Sequence, residues 1–156
     1  RNGMFGRRPV ALGDKRHPNV IVGGGGGPRM ASLVARYADE VNISSASAES
    51  AREAYERVDA ACRKIDRDPA TVTHSAMTGV LVRDRVAELM KAIGSGAADP
   101  DEWLADRGRR WVMGTPDEAR ARVTDLANAG VERVMLQTFL PYDLDMVKLL
   151  GEIFLD

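Results

Sequence analysis

The chain has 156 residues, 44% hydrophobic content and a formal net charge of −1, an ordinary α/β composition large enough for one core. Near-neutral charge removes the electrostatic argument for nucleic acid or an acidic membrane surface, and no apolar run approaches the roughly 20 residues of a membrane span. The single cysteine, Cys62, excludes an internal disulfide and points to a reducing cytoplasm.

Residues 1–18 hold Gly3, Gly6, Pro9, Gly13 and Pro18 with several Arg and Lys and no sustained periodicity, so they read as a linker or insertion segment. They contain no signal-peptide core, His17 has no chemical role there, and a chain that opens on Arg1 is expected to have its true start upstream. The organised part begins at Asn19. The run Val20-Ile21-Val22 is a first strand that breaks into five consecutive glycines, Gly23 to Gly27, and then enters a helix at Pro28-Arg29-Met30. Glycine lets a ligand approach the backbone, and the first turn of a helix leaves N–H groups free, so this arrangement suits an anion, most often a phosphate. The spacing fits neither Gly-x-Gly-x-x-Gly nor a P-loop. A strand-to-helix turn without a ligand is the alternative.

The helix after the loop carries Met30, Leu33, Val34, Tyr37 and Ala38 as its apolar stripe. A second strand follows at Glu40 to Ser44, then a long helix from about Ala48 to Ile65, with Tyr55, Val58, Cys62 and Ile65 on one face and Ser50 to Glu53 as a capping box. On that face Cys62 reads as core, not as a nucleophile. Thr71 to Val82 is the third strand. Residues 83–113 read as an insertion with short helices over 86–93 and 101–106. Thr115-Pro116-Asp117-Glu118 is a strong helix start, Gly130 the matching stop, Val131 to Thr138 the fourth strand, and Asp143 to Leu155 the closing helix. Four strands separated by helices imply parallel pairing, in an open sheet or in half of a (β/α)8 barrel, which needs about 250 residues.

Several segments then match one family in order. The run Pro18 to Met30, Ala35-Arg36-Tyr37-Ala38-Asp39-Glu40-Val41-Asn42, Cys62 to Val72, Gly114-Thr115-Pro116-Asp117-Glu118 and Ala129 to Gln137 resemble the luciferase-like monooxygenase superfamily, specifically its deazaflavin (coenzyme F420)-dependent oxidoreductases. The resemblance implies a (β/α)8 TIM barrel in which residues 19–156 supply the C-terminal half, strands five to eight. It also implies hydride transfer between F420, or alternatively FMN, and an organic small-molecule substrate. The family's first four strands have no counterpart here. An isolated half would expose strand edges and apolar surface, so an N-terminal half-barrel or a second copy, as in a homo-oligomer, is expected to cover them. A non-catalytic half-barrel that binds a phosphate is the remaining reading.

By the resemblance, Gly25, Gly26 and Gly27 receive the cofactor's phosphate, and Asn42 and Ser44 meet its tail. Arg29 either adds charge to that site or is solvated. His74, in the third strand, is either a hydrogen-bonded structural group or a contact to the ring or substrate. Gln137 and Thr138 close the fourth strand at the site end. Trp103 and Trp111 fall where the family carries a lid, with Trp111 a ring or substrate contact, or else both anchor the insertion. Arg107-Gly108-Arg109-Arg110 is an anion contact or a solvated face. No His/Cys/Asp cluster has metal-ligand spacing, so no metal is expected.

Overall fold

The computed structural model describes residues 18–84, 88, 91, 92, 99, 102, 103, 107–138 and 143–155. The segment expected over 1–18 lies outside them except for Pro18, and so does most of the sequence expected to form helices over 86–93 and 101–106. The strands are β1 (Ile21–Gly24), β2 (Glu40–Ser44), β3 (Thr73–Val82), β4 (Val112–Gly114) and β5 (Arg133–Gln137). The helices are α1 (Pro28–Tyr37), α2 (Ala48–Arg63), α3 (Pro116–Asn128) and α4 (Leu144–Phe154). Every pairing is parallel: β1 with β2, β2 with β3, and β3 with both β5 and β4.

The short strand β4 corrects the expected insertion boundary, because Val112 and Met113 belong to the sheet. Three residues are too few to show a period of two. What holds them is a long-range pairing with Val80–Val82, the far end of β3.

Two faces of the sheet follow from register and alternation. Val41, Ile43, Ala76 and Val80 turn to the helices and are buried. The opposite face is polar: Glu40, Asn42 and Ser75 lie on it, with Arg133 in register beside Ser75. Glu40 is only 2% exposed and accepts a hydrogen bond from Arg133 Nη1 at 2.7 Å.

Helix ends follow local chemistry. Thr115 and Glu118 form the expected capping box in front of α3, and Gly130 takes φ +94 beyond its end. For α2 the cap is Ser47, whose hydroxyl accepts from Ser50 N–H, three residues before the expected box. The expected stripe of α1 is also corrected. Leu33 and Tyr37 are exposed, while the small residues Ala31, Val34, Ala35 and Ala38 are buried, because α1 packs closely against α2. The carboxyl end of α1 has no glycine cap. Arg67 closes it instead, donating to the carbonyls of Val34, Ala35 and Ala38 and to Thr71 Oγ1. Replacing Arg67 by Ala is expected to lower unfolding free energy by about 2 kcal/mol in a urea titration, and Lys, lacking the planar fork, should restore little of it.

Candidate functional site

Because all strands are parallel, their carboxyl ends share one end of the sheet. Register orders that end in tiers. Ser44, Met77 and Met135 share one level on the polar face, and Gly79 and Gln137 lie two residues beyond it. β1 ends at Gly24, opposite Ile43, so the glycine loop opens beside Ser44.

Within that loop the glycines do different work. A side chain at Gly25 or Gly27 would meet nothing within 4 Å, so both leave bare backbone facing open space. Gly27 is the N-cap of α1 with no side-chain cap, and Pro28 follows at the first helical position. The N–H groups of Gly27, Arg29 and Met30 therefore have no helical acceptor, and the positive end of the helix dipole stands behind them. Arg29 is exposed at the same point. Gly26 is turned the other way. It is buried at φ +71, and a Cβ there would run into Ala54 of α2. Its N–H points to Met30 Sδ and its carbonyl accepts from Arg57 Nη1 at 2.9 Å. It thus seats the loop on α2.

Asn42 is 7% exposed, and its amide nitrogen donates to Ser75 Oγ at 2.9 Å and approaches Met135 Sδ at 3.7 Å. Three strands thereby meet on one face. Ser75 Oγ passes the chain on to the Val41 carbonyl. Ser44 is exposed at the strand end, one tier nearer the glycine loop.

His74 does not face this region. It sits near the start of β3 on the helix side, stacked on Tyr55 at 4.2 Å with rings within 6° of parallel, and its Nε2 lies 3.4 Å from Asp59. Alternation puts Ser75, not His74, on the polar face. This placement, away from the polar face, is the structural alternative for His74. Tyr55 donates to the Ser75 carbonyl at 2.9 Å, and burial, with Glu132 nearby, pushes its phenol above the ordinary value. A raised phenol favours the neutral form in the fold, so its contribution is complete below about pH 10 and is lost as pH rises above that. Stability measured against pH should fall more steeply above about pH 10 for the wild type than for Tyr55→Phe. The variant itself should cost about 1 kcal/mol at neutral pH.

Trp111 reaches the upper tier. A Cβ on Gly79 would collide with the indole, so the ring lies flat on side-chain-free strand backbone, in register beside Gln137. Trp103 meets Trp111 edge to face at 5.4 Å, and the Arg107 guanidinium stands 4.8 and 5.7 Å from the two rings. Thr78 Oγ1 donates to the Arg110 carbonyl at 2.6 Å and fixes the approach of the segment. Gly79 was not among the expected site residues. Its signal is a glycine inside an apolar strand, which marks a close approach.

The site end therefore joins the bare backbone of Gly25 and Gly27 and the uncapped start of α1 with Ser44, Gln137 and an aromatic wall. Comparison with known proteins adds the family. The family model described as luciferase-like monooxygenase matches residues 4–133. Among curated proteins none matches in sequence. Solved structures do match in fold. The coenzyme F420-dependent tetrahydromethanopterin reductase from Methanopyrus kandleri is 16% identical with a TM-score of 0.63, over 83% of this chain and 48% of its own. An F420-dependent secondary alcohol dehydrogenase, solved with an F420–acetone adduct, is 15% identical with a TM-score of 0.68, over 88% of this chain and 48% of its own. A monooxygenase from Streptomyces bottropensis is 21% identical with a TM-score of 0.68, over 90% of this chain and 49% of its own. The chain thus spans about half the length of these structures, and its parallel α/β architecture is that part of the luciferase-like TIM barrel. With most of its length matched by the family model, this chain belongs to the luciferase-like monooxygenase family.

Proposed function

We propose that this chain is half of an oxidoreductase that moves a hydride between coenzyme F420 and a small organic substrate. The observation that carries the reading is the open backbone of Gly25 and Gly27 before an uncapped helix start, at the same sheet end as Ser44, Gln137 and Trp111. When bound, the cofactor supplies the ring that gives or takes the hydride.

The chain's own residues bind and orient. N–H groups of Gly27, Arg29 and Met30 receive the phosphate, and the Arg29 side chain adds charge. Asn42 fixes the polar face through Ser75, and the exposed Ser44 hydroxyl meets the cofactor's tail. Gln137 offers an amide at the upper tier, and Trp111 forms an apolar wall that keeps water from the ring. No strong acid or base is required of these residues. The rest of the pocket comes from an N-terminal half-barrel or from a second copy in a homo-oligomer, and the enzyme works in the cytoplasm.

An FMN-dependent monooxygenase is the second reading, favoured by the description of the matching family and by the monooxygenase among the structures similar to this chain. Titrating full-length protein with F420 and with FMN, and following the fluorescence of each, separates the two. Tight F420 binding supports the first reading, and tight FMN binding without F420 binding overturns it in favour of the second. Failure of both leaves the half-barrel without a redox cofactor.

A further inference from the structure

One side chain of α3 joins two parts of the sheet end that lie far apart in the chain. Arg122 Nη2 donates to the Ala46 carbonyl at 3.1 Å and to the Arg109 carbonyl at 2.8 Å. Ala46 stands two residues after Ser44, and Arg109 two residues before Trp111. Both segments need such a hold. Ser45 takes φ +48, a region that serine enters only where its surroundings impose it, and its N–H donates to the Met77 carbonyl of β3 at 2.7 Å. That turn is thus fixed by β3 and by Arg122. The Trp111 segment is held in the same way: Thr78 of β3 donates to the Arg110 carbonyl, and Arg122 to the neighbouring Arg109 carbonyl. Close packing does not replace the second bond, because a cavity of about 390 Å³ lies between Gly108, Trp111 and the α3 residues Glu118, Ala121 and Arg122. Burial pulls the Arg122 guanidinium below the ordinary arginine value, with Asp125 opposing, and its Nε is buried with no hydrogen-bond partner among the described residues. A charge placed there carries a cost that a solvated arginine would not bear.

We propose that Arg122 is a positioning residue for the site, one guanidinium nitrogen tying the turn that carries Ser44 to the segment that carries Trp111. The proposal rests on the reading of this sheet end as the cofactor site. Through the tie, the polar contact at Ser44 and the apolar wall at Trp111 keep a fixed spacing before any ligand arrives, so binding does not have to order them. Without it each segment keeps only its bond to β3, and the two move independently.

Hydrogen exchange of the ligand-free full-length protein, read by mass spectrometry, tests the tie without any cofactor. In R122Q the amides of Ser45, Arg110 and Trp111, each hydrogen-bonded in the structure, should together exchange about tenfold faster, while those of β2 and β3 stay as in the wild type. Affinity for F420, by fluorescence titration well below the melting temperature, should fall about tenfold as well. A general loss of stability would not single out these three amides. R122K, with a shorter reach to the same two carbonyls, should fall between wild type and R122Q, and it stands in for R122Q if that variant does not fold. Exchange as in the wild type, or faster exchange in one segment only, overturns the proposal, and so does unchanged F420 affinity in a variant whose amides open. FMN replaces F420 as the probe if it alone binds. Wild type that binds neither sinks the cofactor reading instead, and exchange then decides alone whether Arg122 joins the two segments.

Discussion

Replacing Gly26 by Val is expected to lower unfolding free energy by about 3–5 kcal/mol, measured by urea titration. Two independent costs add. The residue sits at φ +71, where a β-branched side chain is strained by about 1–3 kcal/mol. Its Cβ would also run into Ala54 Cβ and press on Ile43 Cδ1, both in the packed core, where over-packing costs about 1–3 kcal/mol. Neither neighbour is the loose end of a flexible chain, so α2 itself must move. Gly25 and Gly27, with open space before them, should accept Ala with changes within about 0.5 kcal/mol. The contrast separates a glycine needed for folding from glycines whose backbone faces open space.

The second large effect is on binding. Gly25→Asp introduces a carboxylate into open space beside the N–H groups of α1, so folding should be retained. A helix start welcomes that charge, which competes with a bound phosphate and repels it. Affinity for the phosphate-bearing cofactor should fall about a hundredfold, or about 2.7 kcal/mol, by fluorescence titration, with the melting temperature unchanged or slightly raised. Equal affinity in wild type and variant would move the phosphate away from the loop.

Local chemistry was readable directly from the chain. Thr115-Pro116-Asp117-Glu118 caps α3 because both partners of the box lie within one turn. The alternation of strand and helix likewise shows in Val20-Ile21-Val22 and Glu40 to Ser44. What local patterns miss is whatever long-range contact decides. The apolar run Thr71 to Val82 reads the same on both faces, so it cannot say that His74 turns to Tyr55 of α2 while Ser75 turns to Asn42. The five glycines look equivalent in sequence. Only the position of Ala54, 28 residues after Gly26, distinguishes the fourth one. Arg67 as the cap of α1 has the same character, since its acceptors lie about 30 residues earlier in the chain. The order of family-like segments was informative for the family, whose model matches residues 4–133.

The central claim is that the glycine loop and the start of α1 hold the phosphate of a redox cofactor. Its most direct test compares, on full-length protein, the affinity of F420 and of FMN with that of each dephosphorylated form. The account predicts that one cofactor loses at least about thirtyfold in affinity, about 2 kcal/mol, when its phosphate is removed, in line with several charge-assisted hydrogen bonds to backbone N–H groups. Dephosphorylated cofactor that binds as tightly as the intact form would contradict it.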